Sequence, residues 1–307
     1  MRIGIDVGGT KLEGIALAED GRVLDRRRTT SPRGNYDASV RAIIELIAAI
    51  ESATDARGSI GVGIPGTISP ATGLIKNANS TWLNGQPLHE DLARSLGREV
   101  RLANDANCFA LSEAADGAAA GEPVVFGVII GTGTGGGIVV DGRIVVGANA
   151  IGGEWGHNPL PAPTDDERPG TACYCGRSGC IETFLSGPAL ERDYAAMGGV
   201  AATSADIAAR AAAGDVIALA CLERYEDRFA RAIASIVNVL DPDVIVLGGG
   251  LSNIDRLYTN VPALWAAHIF SDHVRTRLVR NRHGDASGVR GAAWLWPVSG
   301  APARMQL

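Results

Sequence analysis

The sequence is poor in aromatic residues and in lysine, and it contains no apolar run long enough to cross a membrane. Aromatic side chains make up 5% of the 307 residues, whereas 46% are hydrophobic, so we expect a largely aliphatic core. Acidic residues outnumber basic ones by 34 to 28, for a net charge of −6, whereas nucleic-acid-binding domains usually carry clustered cations. The first residues lack the apolar segment of a secretory signal. We therefore expect a soluble, cytoplasmic protein of about two domains, with neither nucleic acid nor membrane as a partner.

Glycine, by contrast, is abundant and unevenly placed. It accounts for 40 of the 307 residues, nearly twice the usual share. Most clusters follow or interrupt apolar runs, a pattern typical of backbone turns arranged around a ligand. The clusters are VGGT (7–10), GVGIPG (61–66), GTGTGGG (131–137), IGGEWG (151–156) and LGGG (247–250).

Two segments of the chain resemble each other. Residues 4–10 align with 127–133, and the same offset brings 14–17 onto 137–140. Each copy predicts a strand, a glycine turn, a second strand, an Asp-Gly hairpin turn and a third strand. An internal duplication of this kind predicts two lobes, each opening with an antiparallel meander.

Elsewhere, apolar residues at helical spacing alternate with short apolar strands, which indicates the α/β class. The predicted lobe boundary lies within 116–122, and the last helix is expected to pack back on the first lobe. The predicted strands are 59–64, 99–103 and 243–248, and the predicted helices are 36–53, 104–119, 186–197, 203–213, 216–240, 253–270 and 287–296.

Two glycine turns are candidate phosphate sites. In DVGGTK, Gly8 and Gly9 can present backbone N–H groups to an anion, and Thr10 and Lys11 add a hydroxyl and a cation. An ordinary tight hairpin would show the same pattern. GTGTGGG satisfies the dinucleotide-binding spacing, but a hairpin rather than a helix follows it, and no P-loop lysine is present. We therefore expect a second phosphate-binding hairpin there, and a third glycine surface at LGGG for adenine or ribose.

Three of the five cysteines, Cys173, Cys175 and Cys180, lie within eight positions. In a cytosolic chain this spacing favours a metal site over a disulfide. A tetrahedral structural zinc needs a fourth ligand, for which His157 is the candidate; the alternative is a reduced surface loop without metal. Such a zinc would leave the other ring nitrogen of His157 for a ligand.

Three carboxylates are further candidates. Glu154 and Glu182 flank the predicted metal loop, where they could accept hydrogen bonds from a polyhydroxylated ligand or simply lie on the surface. Asp105 follows a short strand and opens a helix, which suits a helix N-cap. It could equally be a base that orients an attacking hydroxyl in phosphoryl transfer.

Taken together, DVGGTK, GTGTGGG, GGEWGH, CYCGRSGC followed by Ile-Glu, and LGGG resemble the ROK family of sugar kinases and sugar-responsive repressors. The resemblance covers nearly the whole chain. Residues 76–88, 98–108, 153–161, 240–250 and 287–297 are similar to the bacterial fructokinases within that family. The resemblance implies the actin-like ATPase (ribonuclease H-like) fold, with two lobes around a nucleotide and sugar cleft. The repressors carry an additional DNA-binding segment before the DxGGT strand, which we do not expect here.

The resemblance also implies residue roles. Asp105 would be the catalytic base, His157 would bind both zinc and sugar, and Asp6 would contact Mg²⁺ through water. Sugar contacts would come from Gly66, Thr67, Asn79, Asn104, Asp105, Glu154, His157 and Glu182. Nucleotide contacts would come from Asp6, Gly8, Gly9, Thr10, Lys11, Gly131, Thr132, Gly133, Gly248 and Gly249. The zinc ligands would be His157, Cys173, Cys175 and Cys180.

We therefore predict a first domain of residues 1–117 plus 289–307 and a second of residues 118–288. The predicted activity is ATP-dependent phosphorylation of free D-fructose to fructose 6-phosphate, with mannose as a second substrate. A glucokinase or an N-acetylhexosamine kinase of the same family is the near alternative, and a non-catalytic sugar sensor is the distant one. The cofactors would be ATP, Mg²⁺ and a structural Zn²⁺, and the family implies a homodimer.

Overall fold

The computed structural model describes residues 1–297 and separates them into two α/β units. The first unit contains Met1–Asp116, Val146–Gly152 and the described residues from Ala286 onward, and the second contains Gly117–Val145 and Gly153–Asp285. Residues 298–307, predicted as part of the first domain, lie outside the described residues.

One segment differs from the predicted boundaries. Val146–Gly152 belongs to the first unit, although the sequence analysis placed it in the second domain. A physical reason is visible in its contacts, because the Lys76 ammonium donates a hydrogen bond of 2.8 Å to the Asn149 carbonyl oxygen.

The first unit is built on a mixed sheet in the order β3-β2-β1-β4-β7. Strand β1 pairs antiparallel with β2 and parallel with β4, and β4 pairs parallel with β7. Its elements up to the unit boundary are β1 (Arg2–Val7), β2 (Lys11–Leu17), β3 (Val23–Thr30), α1 (Tyr36–Thr54), β4 (Ser59–Ile64), β5 (Thr67–Ile68), β6 (Ile75–Lys76), α2 (Leu88–Leu96), β7 (Val100–Asn104) and α3 (Asp105–Ala115).

The second unit repeats this topology, with a sheet in the order β10-β9-β8-β11-β12. The pairing directions correspond strand for strand, since β8 is antiparallel to β9 and parallel to β11. Its elements are β8 (Val124–Ile130), β9 (Thr134–Val140), β10 (Arg143–Ile144), α4 (Glu182–Leu185), α5 (Gly187–Ala196), α6 (Ser204–Ala212), α7 (Val216–Leu240), β11 (Val244–Gly248), α8 (Leu257–Trp265) and β12 (Arg277–Arg280).

Local sequence explains why the long helices form. Helix α1 begins where the Asn35 side chain accepts the Ala38 N–H, and its apolar face, which includes Ile43 and Ile47, is buried in the first core. Helix α7 begins where Asp215 accepts the N–H groups of Ile217 and Ala218. Both cores are largely aliphatic, as expected from the composition.

The predicted helix over 253–270 is wrong in its extent. Helix α8 covers only Leu257–Trp265, between 3₁₀ turns at Gly250–Asn253 and Ala266–His268. The N-terminal turn follows directly from Gly249, whose backbone turns the chain away from strand β11 with a φ of 81°. In that tight turn the Ser252 hydroxyl donates to the Gly249 carbonyl oxygen. The first residue of the predicted helix therefore lies in this 3₁₀ turn and not in α8.

The last helix, α9 (Ser287–Trp294), packs on helix α3 and on strands β1 and β4 of the first unit, as expected. The approach is so close that a Cβ at Gly291 would overlap the Cys108 carbonyl oxygen, and one at Gly61 would overlap the Ala292 carbonyl oxygen. Glycine at these positions therefore sets the distance between α9, α3 and the sheet.

Within residues 1–297, no helix is long and apolar enough to span a membrane.

The close contact of α9 generates a stability prediction. Gly291→Ala should lower the free energy of unfolding by at least about 2 kcal/mol, because the new methyl group has no room beside a backbone carbonyl. Gly288→Ala on the same helix is the control, since its Cβ would lie 3.8 Å from the nearest atom, on Asp6. Urea denaturation of both variants measures the difference, and equal stability would contradict the close packing.

Candidate active site

Two carboxylates of the first unit lie at one edge of its sheet. Asp6 is near the carboxyl end of β1 and Asp105 directly follows β7, and these strands run parallel to the β4 that lies between them. Burial raises the pKa of Asp6 from 3.8 to about 7, with further contributions from the charges of Asp105 and Glu13 against an opposing one from Lys11. The two aspartates are therefore close enough to interact electrostatically.

Asn104, and not Asp105, caps helix α3. The Asn104 side-chain oxygen accepts the N–H groups of Ala106 at 2.9 Å and Asn107 at 3.3 Å. The Asp105 carboxylate accepts the N–H of the adjacent Ala106 at 2.8 Å. The sequence left Asp105 as either a helix N-cap or a base. In the structure the N-cap of α3 is Asn104.

The first glycine turn joins β1 to β2 through Gly8, Gly9 and Thr10. The Gly8 N–H donates to the Lys11 carbonyl oxygen at 3.0 Å, which closes the turn. The Lys11 ammonium lies 3.7 Å from a carboxylate oxygen of Glu13, whose side chain is buried. The turn thus has a fixed backbone, and the charge of its lysine is partly offset.

The sequence analysis missed one residue at this turn. The Arg33 guanidinium donates to the Gly9 carbonyl oxygen at 2.8 Å and to the Thr10 hydroxyl at 2.7 Å. Arg33 follows a proline after strand β3, outside the glycine motif, and only the Ser-Pro-Arg-Gly turn composition could have drawn attention to it.

Residues predicted to contact the sugar form a second group in the first unit. The Asn104 amide donates to the Gly66 carbonyl oxygen at 3.1 Å. Gly66 also lies against Ala78, since a Cβ on Gly66 would be 2.6 Å from the Ala78 nitrogen. Thr67 follows in β5, and Asn79 is exposed beside Ala78. The structure therefore brings Gly66, Asn104 and the segment containing Asn79 together.

The second glycine turn joins β8 to β9 through Gly131, Thr132 and Gly133. It is closed by the Gly131 N–H, which donates to the Gly133 carbonyl oxygen at 3.0 Å. The Glu182 carboxylate accepts the Thr134 N–H at 3.0 Å, and a Cβ at Gly133 would come within 2.6 Å of it. A predicted sugar-binding glutamate thus lies against the second glycine turn.

The LGGG segment belongs to the same region of the second unit. Strand β11 ends at Gly248 beside β8, and Gly249 packs on the Ile130 carbonyl oxygen, directly before the turn at Gly131. The predicted nucleotide residues of the second unit are therefore neighbours.

The cysteine and histidine cluster is assembled as expected. The ligand atoms of His157, Cys173, Cys175 and Cys180 all lie within 4.8 Å of one another. The sulfurs of Cys175 and Cys180 are 3.6 Å apart, as are the Cys173 sulfur and His157 Nδ1. A tetrahedral site with Zn–S bonds of about 2.3 Å has edges of roughly 3.8 Å. The number, type and spacing of these four ligand atoms are compatible with a tetrahedral zinc ion.

Tyr174, between two of these cysteines, is a further residue of this cluster that the sequence analysis missed. Its hydroxyl lies 2.9 Å from Nε2 of His157, the nitrogen expected to await a ligand. Burial is the largest cause that raises the pKa of Tyr174 to about 12, and the negative charges of Glu182 and Glu154 raise it further. Both predicted sugar-binding glutamates thus lie near this hydroxyl, although the residue as a whole is 82% exposed.

Comparison with known proteins decides the family. The sequence profile described as the ROK family matches residues 2–298. The chain belongs to the ROK family. The prediction of a ROK family sugar kinase is confirmed, and with it the actin-like ATPase fold of two α/β units.

Relatives of this ROK protein include sugar kinases of several specificities. It is 41% identical over 300 residues to an N-acetyl-D-glucosamine kinase of Pectobacterium atrosepticum, covering 96% of this chain and 98% of the relative. Among solved structures, the ROK hexokinase from Thermus thermophilus has a TM-score of 0.84 at 31% identity, covering 95% of this chain and 96% of that one. A ROK glucokinase from Streptomyces griseus, in complex with glucose and AMPPNP, has a TM-score of 0.76 at 25% identity, covering 96% and 98%.

The raised pKa of Asp6 generates a pH prediction. The folded protein holds this proton up to about pH 7 and the unfolded chain releases it near 3.8, so ionisation of Asp6 costs stability as pH rises through that window. Asp6→Asn should therefore increase the melting temperature more at pH 8 than at pH 5, in the absence of nucleotide and divalent cation. Asp272→Asn, at an exposed position, is the control. An increment for Asp6→Asn that is the same at both pH values would contradict the shift.

Proposed function

We propose that this ROK protein transfers a phosphoryl group from ATP to a hydroxyl of a free hexose, with Asp105 as the base. The observation that supports this most is the placement of Asp105. It lies beside the buried Asp6 at one sheet edge, and its neighbour Asn104 both caps α3 and binds Gly66. Because Asn104 caps α3, the helix does not depend on the Asp105 carboxylate as its cap.

In this proposal the attacking hydroxyl oxygen forms a bond to the terminal phosphorus of ATP as the bond from that phosphorus to the bridging oxygen of ADP breaks. The hydroxyl proton passes to Asp105, whose main contribution is orientation. Mg²⁺, when bound, neutralises charge on the phosphates. Asp6 would hold it through water, and the N–H groups of the turn at Gly8–Thr10 would bind phosphate oxygens.

The second unit would contribute contacts of two kinds. Its turn at Gly131–Gly133 and the glycines Gly248 and Gly249 would contact the nucleotide. Glu154, His157 and Glu182 would accept hydrogen bonds from sugar hydroxyls, for which the Tyr174 hydroxyl on His157 would give way. The grouping of both glutamates around Tyr174 supports this assignment.

For the sugar, we propose D-fructose, phosphorylated at the 6-hydroxyl, with mannose as a second substrate. This rests on the similarity of residues 76–88 to the bacterial fructokinases. The segment is a defined loop beside Gly66, because the Asn84 side chain binds both the N–H and the carbonyl oxygen of Ala78, each at 2.9 Å. This fixed loop supports the proposal that its side chains discriminate between sugars.

N-acetyl-D-glucosamine is the second candidate substrate, and a different observation favours it. Relatives that are 40–41% identical over 96% of the chain are N-acetyl-D-glucosamine kinases, from Pectobacterium and Yersinia among others. Glucose is a further candidate substrate, because the similar Streptomyces griseus structure is a glucokinase with bound glucose. Glucose and N-acetyl-D-glucosamine differ only at C2, whereas fructose is a ketose, so contacts around C1 and C2 decide among the three sugars.

Zinc at His157, Cys173, Cys175 and Cys180 would have a structural role in this proposal. The metal would fix the loop that carries Tyr174 and orient the ring of His157, which the sequence places three residues after Glu154. A homodimer, implied by the family resemblance, and a cytoplasmic location, expected from the sequence, belong to the same proposal.

The experiment is a steady-state assay of ADP release from MgATP with fructose, mannose, glucose, N-acetylglucosamine and N-acetylmannosamine. We expect fructose to give the highest kcat/KM. Asp105→Asn should lower kcat by about 10³-fold or more, since base and orientation are lost together, and sugar binding measured by calorimetry should persist.

Each other outcome has a defined meaning. A higher kcat/KM for N-acetylglucosamine would replace fructose and leave the mechanism intact. Nearly normal turnover by Asp105→Asn would exclude Asp105 as the base. Absence of turnover with every sugar, while sugar still binds, would favour the non-catalytic sensor.

The zinc proposal makes its own prediction. Elemental analysis of the purified protein should find about one zinc per chain, and Cys175→Ser should reduce this content strongly because a tetrahedral thiolate ligand is lost. Cys221→Ala, at a buried position in α7, should retain the metal. A folded, active protein without metal would contradict the assignment.

A further inference from the structure

The segment between β3 and α1 places an arginine directly on the first glycine turn. The Arg33 Nε–H donates to the Gly9 carbonyl oxygen and one Nη2–H to the Thr10 hydroxyl. A guanidinium has five N–H groups, so three remain, and the residue is exposed. Among residues 1–297, no carboxylate within 4 Å of its guanidinium is described.

The position of Arg33 is fixed by the segment that carries it. The Ser31 N–H extends the sheet by donating to the Thr10 carbonyl oxygen at 3.0 Å. The Ser39 hydroxyl of α1 lies 3.3 Å from the Pro32 carbonyl oxygen and receives a hydrogen bond of 3.2 Å from the Trp82 indole. Contacts on both sides of Arg33 therefore hold its backbone against the turn.

The other cations near the turn, unlike Arg33, are paired with a carboxylate. Arg26, Arg28 and Lys11 all face the single buried carboxylate of Glu13, at 2.5, 2.8 and 3.7 Å respectively. Their charge is shared with that carboxylate, whereas the bonds of Arg33 go to neutral oxygens. Arg33 therefore presents the least compensated positive charge to an anion bound at this turn.

We propose that Arg33 binds the terminal phosphates of the phosphoryl donor, through the N–H groups that the turn leaves unused. The identity of the donor rests on the proposed function; the phosphate contact itself does not require turnover. Lys11, which the sequence motif emphasises, would then have the smaller role in phosphate binding, because Glu13 offsets its charge.

The test is calorimetric titration of the full chain with MgATP and, separately, with adenosine. Arg33→Met retains much of the side-chain stem and removes the charge. We expect it to weaken MgATP binding by about tenfold or more, the factor expected for a charge-assisted hydrogen bond, and to leave adenosine binding within about twofold. Arg27→Met is the matched control, since Arg27 is an exposed arginine of β3 that pairs with Asp25.

Two further readouts separate phosphate binding from a merely structural role. Arg33→Lys should recover part of the MgATP affinity, because the charge returns without the fork of N–H groups. The affinity of Arg33→Met for MgATP should also depend less on salt concentration than that of the wild type. A turn that was only distorted would show neither effect.

The proposal is overturned if Arg33→Met binds MgATP as tightly as Arg27→Met does, or if adenosine binding falls by the same factor as MgATP binding. It is also overturned if the wild-type chain does not bind MgATP. A chain that binds MgATP with the expected dependence on Arg33, yet phosphorylates none of the five sugars, would support this inference while the proposed function fails.

Discussion

The first unit depends on one steric constraint, which is that helix α9 lies against both α3 and the sheet with almost no space for side chains. Gly61 on β4 and Gly291 on α9 each face a backbone carbonyl at the point of contact. This packing holds α3 beside the carboxyl ends of β1 and β7. The positions of Asp6 and Asp105, and hence the candidate chemistry, follow from it.

Charged side chains cluster near the same sheet edge, around the proposed phosphate site. Burial raises the pKa of Asp6 to about 7, so a divalent cation at the proposed site would compete with a proton. Glu13 offsets the charges of Lys11, Arg26 and Arg28, and Arg33 presents a less compensated charge beyond them. Among these cations, the positive charge that is least compensated by carboxylates therefore lies at Arg33.

Much of the fold and part of the candidate site could be predicted from the sequence, because they depend on local patterns. The duplicated strand and turn motifs predicted two equivalent meanders, and the pairing registers show them. The spacing of Cys173, Cys175 and Cys180 predicted a cluster with His157, because short loops limit where the thiols can lie. Helix α1 was predicted almost to the residue, since its apolar face is regular and Asn35 caps it.

What sequence reasoning missed depends on contacts between distant segments. Arg33 contacts Gly9 and Thr10 because the segment after β3 lies against the first glycine turn. No sequence motif predicts that contact. Tyr174 meets His157 across the metal loop, and Val146–Gly152 joins the first unit through contacts such as that of Lys76. Helix α2 was omitted because its apolar residues at 88, 92 and 96 are few, although Gly97 marks its end.

The central claim is that Asp6 and Asp105 interact electrostatically at one edge of the first sheet. The most direct test is a carbon NMR titration of the aspartate carboxyl groups, in the wild type and in Asp105→Asn, without nucleotide or divalent cation. The account predicts a pKa of about 7 for Asp6 in the wild type. In the variant this pKa should be lower, yet still above 3.8 because burial is the largest cause. A pKa for Asp6 that does not change in Asp105→Asn, or that lies near 3.8 in the wild type, would contradict it.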